Sequence, residues 1–149
     1  MGELLERLPL PEKRAEIIDA CGVLLDGEVK KKKGVRGMAV KAGYKVLKAI
    51  KPGAVREAID GLLDDFLAAL EKYHDDWQSS GAEGSFGQAM KKQDAQIAES
   101  LVQVTDKKAE NTKHKNLGKM YKKLRPSAVS NVREAVPGLA DLVDRYYAS

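Results

Sequence analysis

Apolar residues along this chain recur at intervals of three and four, the period of helices with one buried side, and dense β-branched alternation is absent. The clearest run is Val55, Ile59, Leu62, Phe66, Leu70, Tyr73 and Trp77, a continuous inward stripe, with Asp60, Asp64, Asp65, Glu71, Asp75 and Asp76 falling on the other side. Five further helices are predicted around it. The first opens with Pro11 in its first turn, turns Ile18, Cys21, Leu25 and Val29 inward, and ends at the run KKKKG, where lysines suit the negative helix end and Gly34 suits a cap. The second spans about 35–50, with Val40, Gly43, Leu47 and Ile50 inward, and stops at Pro52.

After the central helix, the stretch QSSGAEGSFG reads as a flexible link over about 78–84. Its last residues also start a helix, because Ser85 followed three residues later by Gln88 is a capping box. That fourth helix runs through Met90, Ile97, Leu101 and Val104 and should end or loosen between Asp106 and Thr112. A fifth carries Leu117, Met120 and Leu124 up to Pro126, and a sixth carries Val132, Val136, Leu139 and Val143. Pro137 lies inside the sixth, where it removes a hydrogen bond and crowds the preceding turn, so a kink or split is expected near Val136.

Superimposed on this pattern is a repeat. Val55 to Asp64 read VREAIDGLLD and Val132 to Asp141 read VREAVPGLAD, an offset of 77 residues. The offset holds without a gap over the 24 pairs that begin with Tyr44 and Tyr121, ten of them identical, where ordinary residue usage would give roughly two. Periodicity alone would match apolar positions; it would not match Arg56-Glu57 to Arg133-Glu134 or Tyr44-Lys45 to Tyr121-Lys122. The reading is an all-α fold of six main helices, two tandem three-helix units at about 11–77 and 85–149, related by a pseudo-twofold axis and sharing one core. Coincidental likeness between two amphipathic helices is the alternative.

Composition adjusts this picture in three ways. The 149 residues suit a single domain, 1–149, able to bury roughly 70% of its unfolded surface. The lone Cys21 excludes an internal disulfide and a multi-thiolate metal site, and its apolar neighbours at helical spacing suggest a buried, inert thiol. No apolar run approaches bilayer length and the start MGELLERLPL is acidic, unlike a signal peptide, so the expected location is cytoplasmic.

Charge is strongly segregated. The segments 30–51 and 107–125 hold 17 of the 26 positive residues and a single acid, Glu110, leaving nine positive and 21 negative residues elsewhere. On the second predicted helix Lys41, Lys45 and Lys48 share a face with Tyr44 beside them and Lys51 one turn on. The duplicated counterpart offers Tyr121, Lys122 and Arg125, with Lys115 and Lys119 added. The functional reading is a paired surface for a polyanion, nucleic-acid phosphates or anionic lipid headgroups, with tyrosines available to stack or pack. The plainer reading is that these helices face water or the acidic sides of the third and sixth helices.

Other candidate chemistry is thinner. His74 with Glu71 and Asp75 invites a metal site, but His114, the other histidine, has Gly37 as its counterpart, and a solvated polar helix end explains the cluster better; no metal or cofactor is expected. Asp64 and Asp65 are adjacent on a helix and point about 100° apart, so they form no facing acid–base pair. The glycines at 34, 37 and 43 lack a preceding strand and phosphate-loop spacing.

Gly34, Gly37, Ala39, Lys41, Tyr44-Lys45, Lys48 and Pro52-Gly53, then Leu62-Leu63 with Phe66, Ser85-Phe86-Gly87, Thr105-Asp106 and Tyr121 with Leu124-Arg125 together resemble an uncharacterised bacterial family of small helical proteins, of actinobacterial type. The resemblance covers almost the whole chain. In that family a proline often follows the paired leucines, where this chain has Asp64. The resemblance implies a stand-alone bacterial protein and supplies no catalytic residues. The expectation is therefore a non-enzymatic binding protein that takes a polyanion, nucleic acid in particular, on its basic faces, or else a protein–protein module or homodimer in which acidic and basic surfaces meet.

Overall fold

The computed structural model describes residues 2–148, which are helical with no strand among them. Seven helices follow in order among the described residues: α1 (Glu3–Glu6), α2 (Leu10–Lys31), α3 (Gly34–Ile50), α4 (Ala54–Ser79), α5 (Phe86–Lys92), α6 (Asp94–Glu110) and α7 (Lys115–Tyr146). The two longest organise the rest. The central α4 touches α1, α2, α3, α5 and α6, and α7 packs on α2, α3, α5 and α6. Between them the core gathers Leu4, Leu70, Phe86, Met90, Ile97, Leu101, Val136 and Ala140, mostly aliphatic side chains as the low aromatic content requires.

Several predicted boundaries hold for the reasons given. Pro52 and Gly53 separate α3 from α4, with Gly53 at φ +81°, a left-handed conformation that glycine adopts without strain. Ser85 caps α5 through a full capping box, its hydroxyl accepting from the Gln88 amide while the Gln88 side chain accepts from the Ser85 amide. The link before it falls at 80–85, and the polar stretch after Asp106 releases the chain at Asn111.

Three expectations are corrected. The predicted fourth helix is two, α5 and α6, because Gln93 leaves helical geometry at φ −117° and ψ 31°, in a stretch without glycine or proline to signal it. The predicted fifth and sixth helices are one, and neither Pro126 nor Pro137 ends α7. Both prolines are exposed, as are Lys122 and Arg133, whose carbonyls lose their helical partner and can turn to water. Meanwhile Val136, Ala140 and Val143 are buried and hold the helix across the Pro137 turn. The seventh helix is the short α1 at the N-terminus, outside the predicted set. Leu4 within it is fully buried, and the Glu71 carboxylate accepts from the Leu4 and Leu5 amides at 2.9 and 3.1 Å, satisfying helix-end donors from the neighbouring α4.

Candidate functional site

The two basic segments meet. Gly43 of α3 is buried against Leu124 and Met120 of α7, with space so close that a side chain there would sit 2.9 Å from the Leu124 methyl. α3 and the first half of α7 therefore lie against each other. Lys41, Lys45, Lys48, Lys51, Lys115, Lys119, Lys122 and Arg125 are all exposed. Lys51 pairs with Glu57 at 2.7 Å and Arg125 with Asp106 at 2.9 Å. Among the described residues the other six make no ion pair. The acidic side of α4 does not cover them: Asp60 and Asp64 are occupied by Arg14 of α2, at 2.8 and 3.0 Å.

The tyrosines face inward from this surface. The Tyr44 hydroxyl reaches Asp26 of α2 at 3.5 Å, and the Lys48 ammonium lies 4.6 Å from the centre of its ring. The Tyr121 hydroxyl donates to Asp106 of α6 at 2.5 Å and lies 2.8 Å from the Thr105 hydroxyl. Burial, then the aspartate beside each, pushes both phenols above their ordinary pKa. Of the two uses open to these rings, their contacts describe packing.

Beside the N-terminus of α3 the chain forms a cleft of about 400 Å³ lined by Lys31, Lys32, Lys33, Arg36, Glu28 and Glu134 among others. Sequence reasoning counted these lysines as part of a helix end and missed the cleft, across which Glu134 of α7 ion-pairs with Lys32 and Arg36 donates to Asn131 at 3.2 Å. Val35 and Met38, one turn apart on α3, are 86% and 72% exposed.

His74 lies elsewhere and corrects a prediction. The polar end of α4 is not solvated there: the imidazole is fully buried among Trp77, Phe86 and Tyr147, whose ring centres lie 5.7, 5.0 and 5.6 Å away. Its Nε2 is 2.7 Å from the Tyr147 hydroxyl and its Nδ1 has no partner. Burial lowers its pKa below the ordinary imidazole value, against the pull of Glu71 and other nearby acids. Glu71 is committed to the α1 amides. Hydropathy gives no signal for such a residue, because the ring is enclosed by aromatic groups arriving from α5 and from the C-terminal tail. Ser85 and Asp64 carry the structural roles already described.

These features define an all-α helical protein with no helix, among the described residues, long and apolar enough to cross a membrane. The chain belongs to the family of unknown function DUF6918, whose model matches residues 4–147. Comparison with curated proteins and with solved structures gave no match.

Proposed function

We propose that this protein binds polyanions, nucleic-acid backbone in particular, on the surface shared by α3 and the first half of α7. One observation carries the reading: two helices that touch at Gly43 and Leu124 bear seven exposed lysines, the six above and Lys123, without an ion pair among the described residues. Like charges so close repel, which a bound polyanion would offset. Fluorescence anisotropy with labelled single- and double-stranded DNA and RNA at low salt tests it. Binding that weakens steeply with added salt is expected. No detectable affinity for nucleic acid would end the nucleic-acid reading, and none for anionic vesicles either would end the polyanion reading altogether.

A second reading rests on Val35 and Met38, whose exposure on α3 favours a protein contact, a homodimer included, over a purely ionic surface. Light scattering without ligand at low and high salt separates the two, since only this reading predicts self-association of the free protein.

We also infer that the fold arose as two tandem units. Residues 77 apart make like contacts on corresponding helices, although their acid partners stand 75 and 80 residues apart, Asp19 with Asp94 and Asp26 with Asp106. Arg56 pairs with Asp19 and Arg133 with Asp94, each an acid on the first long helix of its own unit. Tyr44 and Tyr121 likewise meet Asp26 and Asp106. Gly61 lies against Lys108 of α6 while Gly138 lies against Leu24 of α2, a reciprocal exchange between units, and Gly43 faces its own counterpart, Met120. Such mutual contacts are what a pseudo-twofold axis produces. Cutting the chain at 81–83 should leave fragments that are largely unfolded apart and helical when mixed. Two independently folded fragments would contradict a shared core.

A further inference from the structure

We infer that Glu3, His74 and Asp75 form a site for a divalent transition-metal ion, zinc foremost, joining α1 to α4. The three residues offer ligand atoms that all lie within 4.8 Å of one another. Clustered carboxylates alone would not make a site, but the histidine supplies an independent sign. It is fully buried, and its Nδ1 has no hydrogen-bond partner.

The Tyr147 hydroxyl, 2.7 Å from Nε2, bears on the tautomer. If Tyr147 donated to Nε2, the proton would sit on Nδ1 as a buried donor with no acceptor, a costly arrangement. With Nε2–H donating to Tyr147, Nδ1 instead carries a lone pair, and metal-bound imidazoles usually donate their second nitrogen in this way to a fixed partner. Tyr147 is itself held in place. The next residue's amide, on Ala148, donates to the Arg7 carbonyl at 2.8 Å, and the Arg7 guanidinium lies 5.9 Å from the Tyr147 ring centre.

The donor set selects the ion. One imidazole with two carboxylates suits zinc, cobalt or manganese, whereas calcium prefers six to eight oxygens. Two carboxylates also balance the ion's charge. Glu3 and Asp75 are exposed, which gives the ion an entry path and leaves room for water to complete its shell. Glu71, one helical turn before His74, is set aside because the α1 amides already engage both its oxygens.

The test uses the full chain, freed of metal by chelator and titrated with zinc chloride by calorimetry and by fluorescence. Trp77 is the protein's single tryptophan and its ring centre is 5.7 Å from that of His74, so it reports on this site. One zinc per chain is expected, with a saturable change in Trp77 emission. Glu3→Gln and Asp75→Asn, both at exposed positions, should each weaken binding by about tenfold or more, while His114→Gln should leave it unchanged. No stoichiometric binding would overturn the site. So would binding that persists in the Glu3→Gln/Asp75→Asn double variant, or that is lost with His114 or Cys21.

Discussion

Tyr121 donates its hydroxyl to Asp106 at 2.5 Å, whereas its counterpart Tyr44 reaches Asp26 only at 3.5 Å. A hydroxyl bonded to a carboxylate at the shorter distance is strong; at the longer one it is marginal. Removing the Tyr121 hydroxyl by Tyr121→Phe should therefore cost about 1–2 kcal/mol in urea unfolding, and Tyr44→Phe less than about 0.5 kcal/mol. Equal losses would mean that the two contacts do not differ in strength.

The same pair gives a dependence on pH. The Tyr121 hydroxyl, and Arg125 after it, hold the Asp106 carboxyl below its usual pKa. A folded value below the unfolded one means that the contribution is complete above about pH 4 and is lost as the pH falls through the folded value. Thermal melts followed by circular dichroism should show the wild type losing more stability than Asp106→Asn between about pH 5 and pH 3. Parallel curves would remove Asp106 from the acid response.

Packing at two glycines should have opposite signs. Gly87 is buried where the Asp144 carboxylate accepts from its amide at 2.7 Å and from the Ser85 hydroxyl at 2.7 Å. A methyl group at Gly87 would come within 2.2 Å of that carboxylate and 2.7 Å of the Ala140 carbonyl, and backbone cannot yield cheaply. Gly87→Ala should cost about 3 kcal/mol. Gly27, exposed within α2, has nothing within 4 Å of the same position, so Gly27→Ala should gain about 0.5–1 kcal/mol from helix propensity alone. Chemical denaturation of both variants decides it.

What the sequence made legible follows from how local each cause is. The break at Pro52-Gly53 and the cap at Ser85 and Gln88 are set by residues within one turn, and they stand where the pattern predicts. The turn at Gln93 has no local signal. Pro126 carries one that packing overrides, because α7 is held along its length by α3, α5 and α6. The burial of His74 depends on Tyr147, 73 residues away, and on Phe86 beyond a loop, so no spacing rule reaches it. The two basic segments are readable as charge; that they touch depends on Gly43 meeting Leu124, a contact between distant segments.

That contact leads to the sharpest prediction for binding. A lysine that meets a phosphate displaces a condensed counterion, and each such contact adds about 0.9 to the slope of log affinity against log salt on duplex DNA. Lys41, Lys45 and Lys119 are exposed and, among the described residues, form no ion pair, whereas Lys51 and Arg125 already hold Glu57 and Asp106. Replacing the first three by glutamine should weaken binding similarly for every sequence tested and lower the slope by about two to three. Replacing Lys51 and Arg125 frees an acid in each case, so affinity should fall while the slope changes by less than about one per residue. Anisotropy titrations at several salt concentrations separate these outcomes. If the triple variant keeps the wild-type slope, phosphates do not sit on α3 and α7.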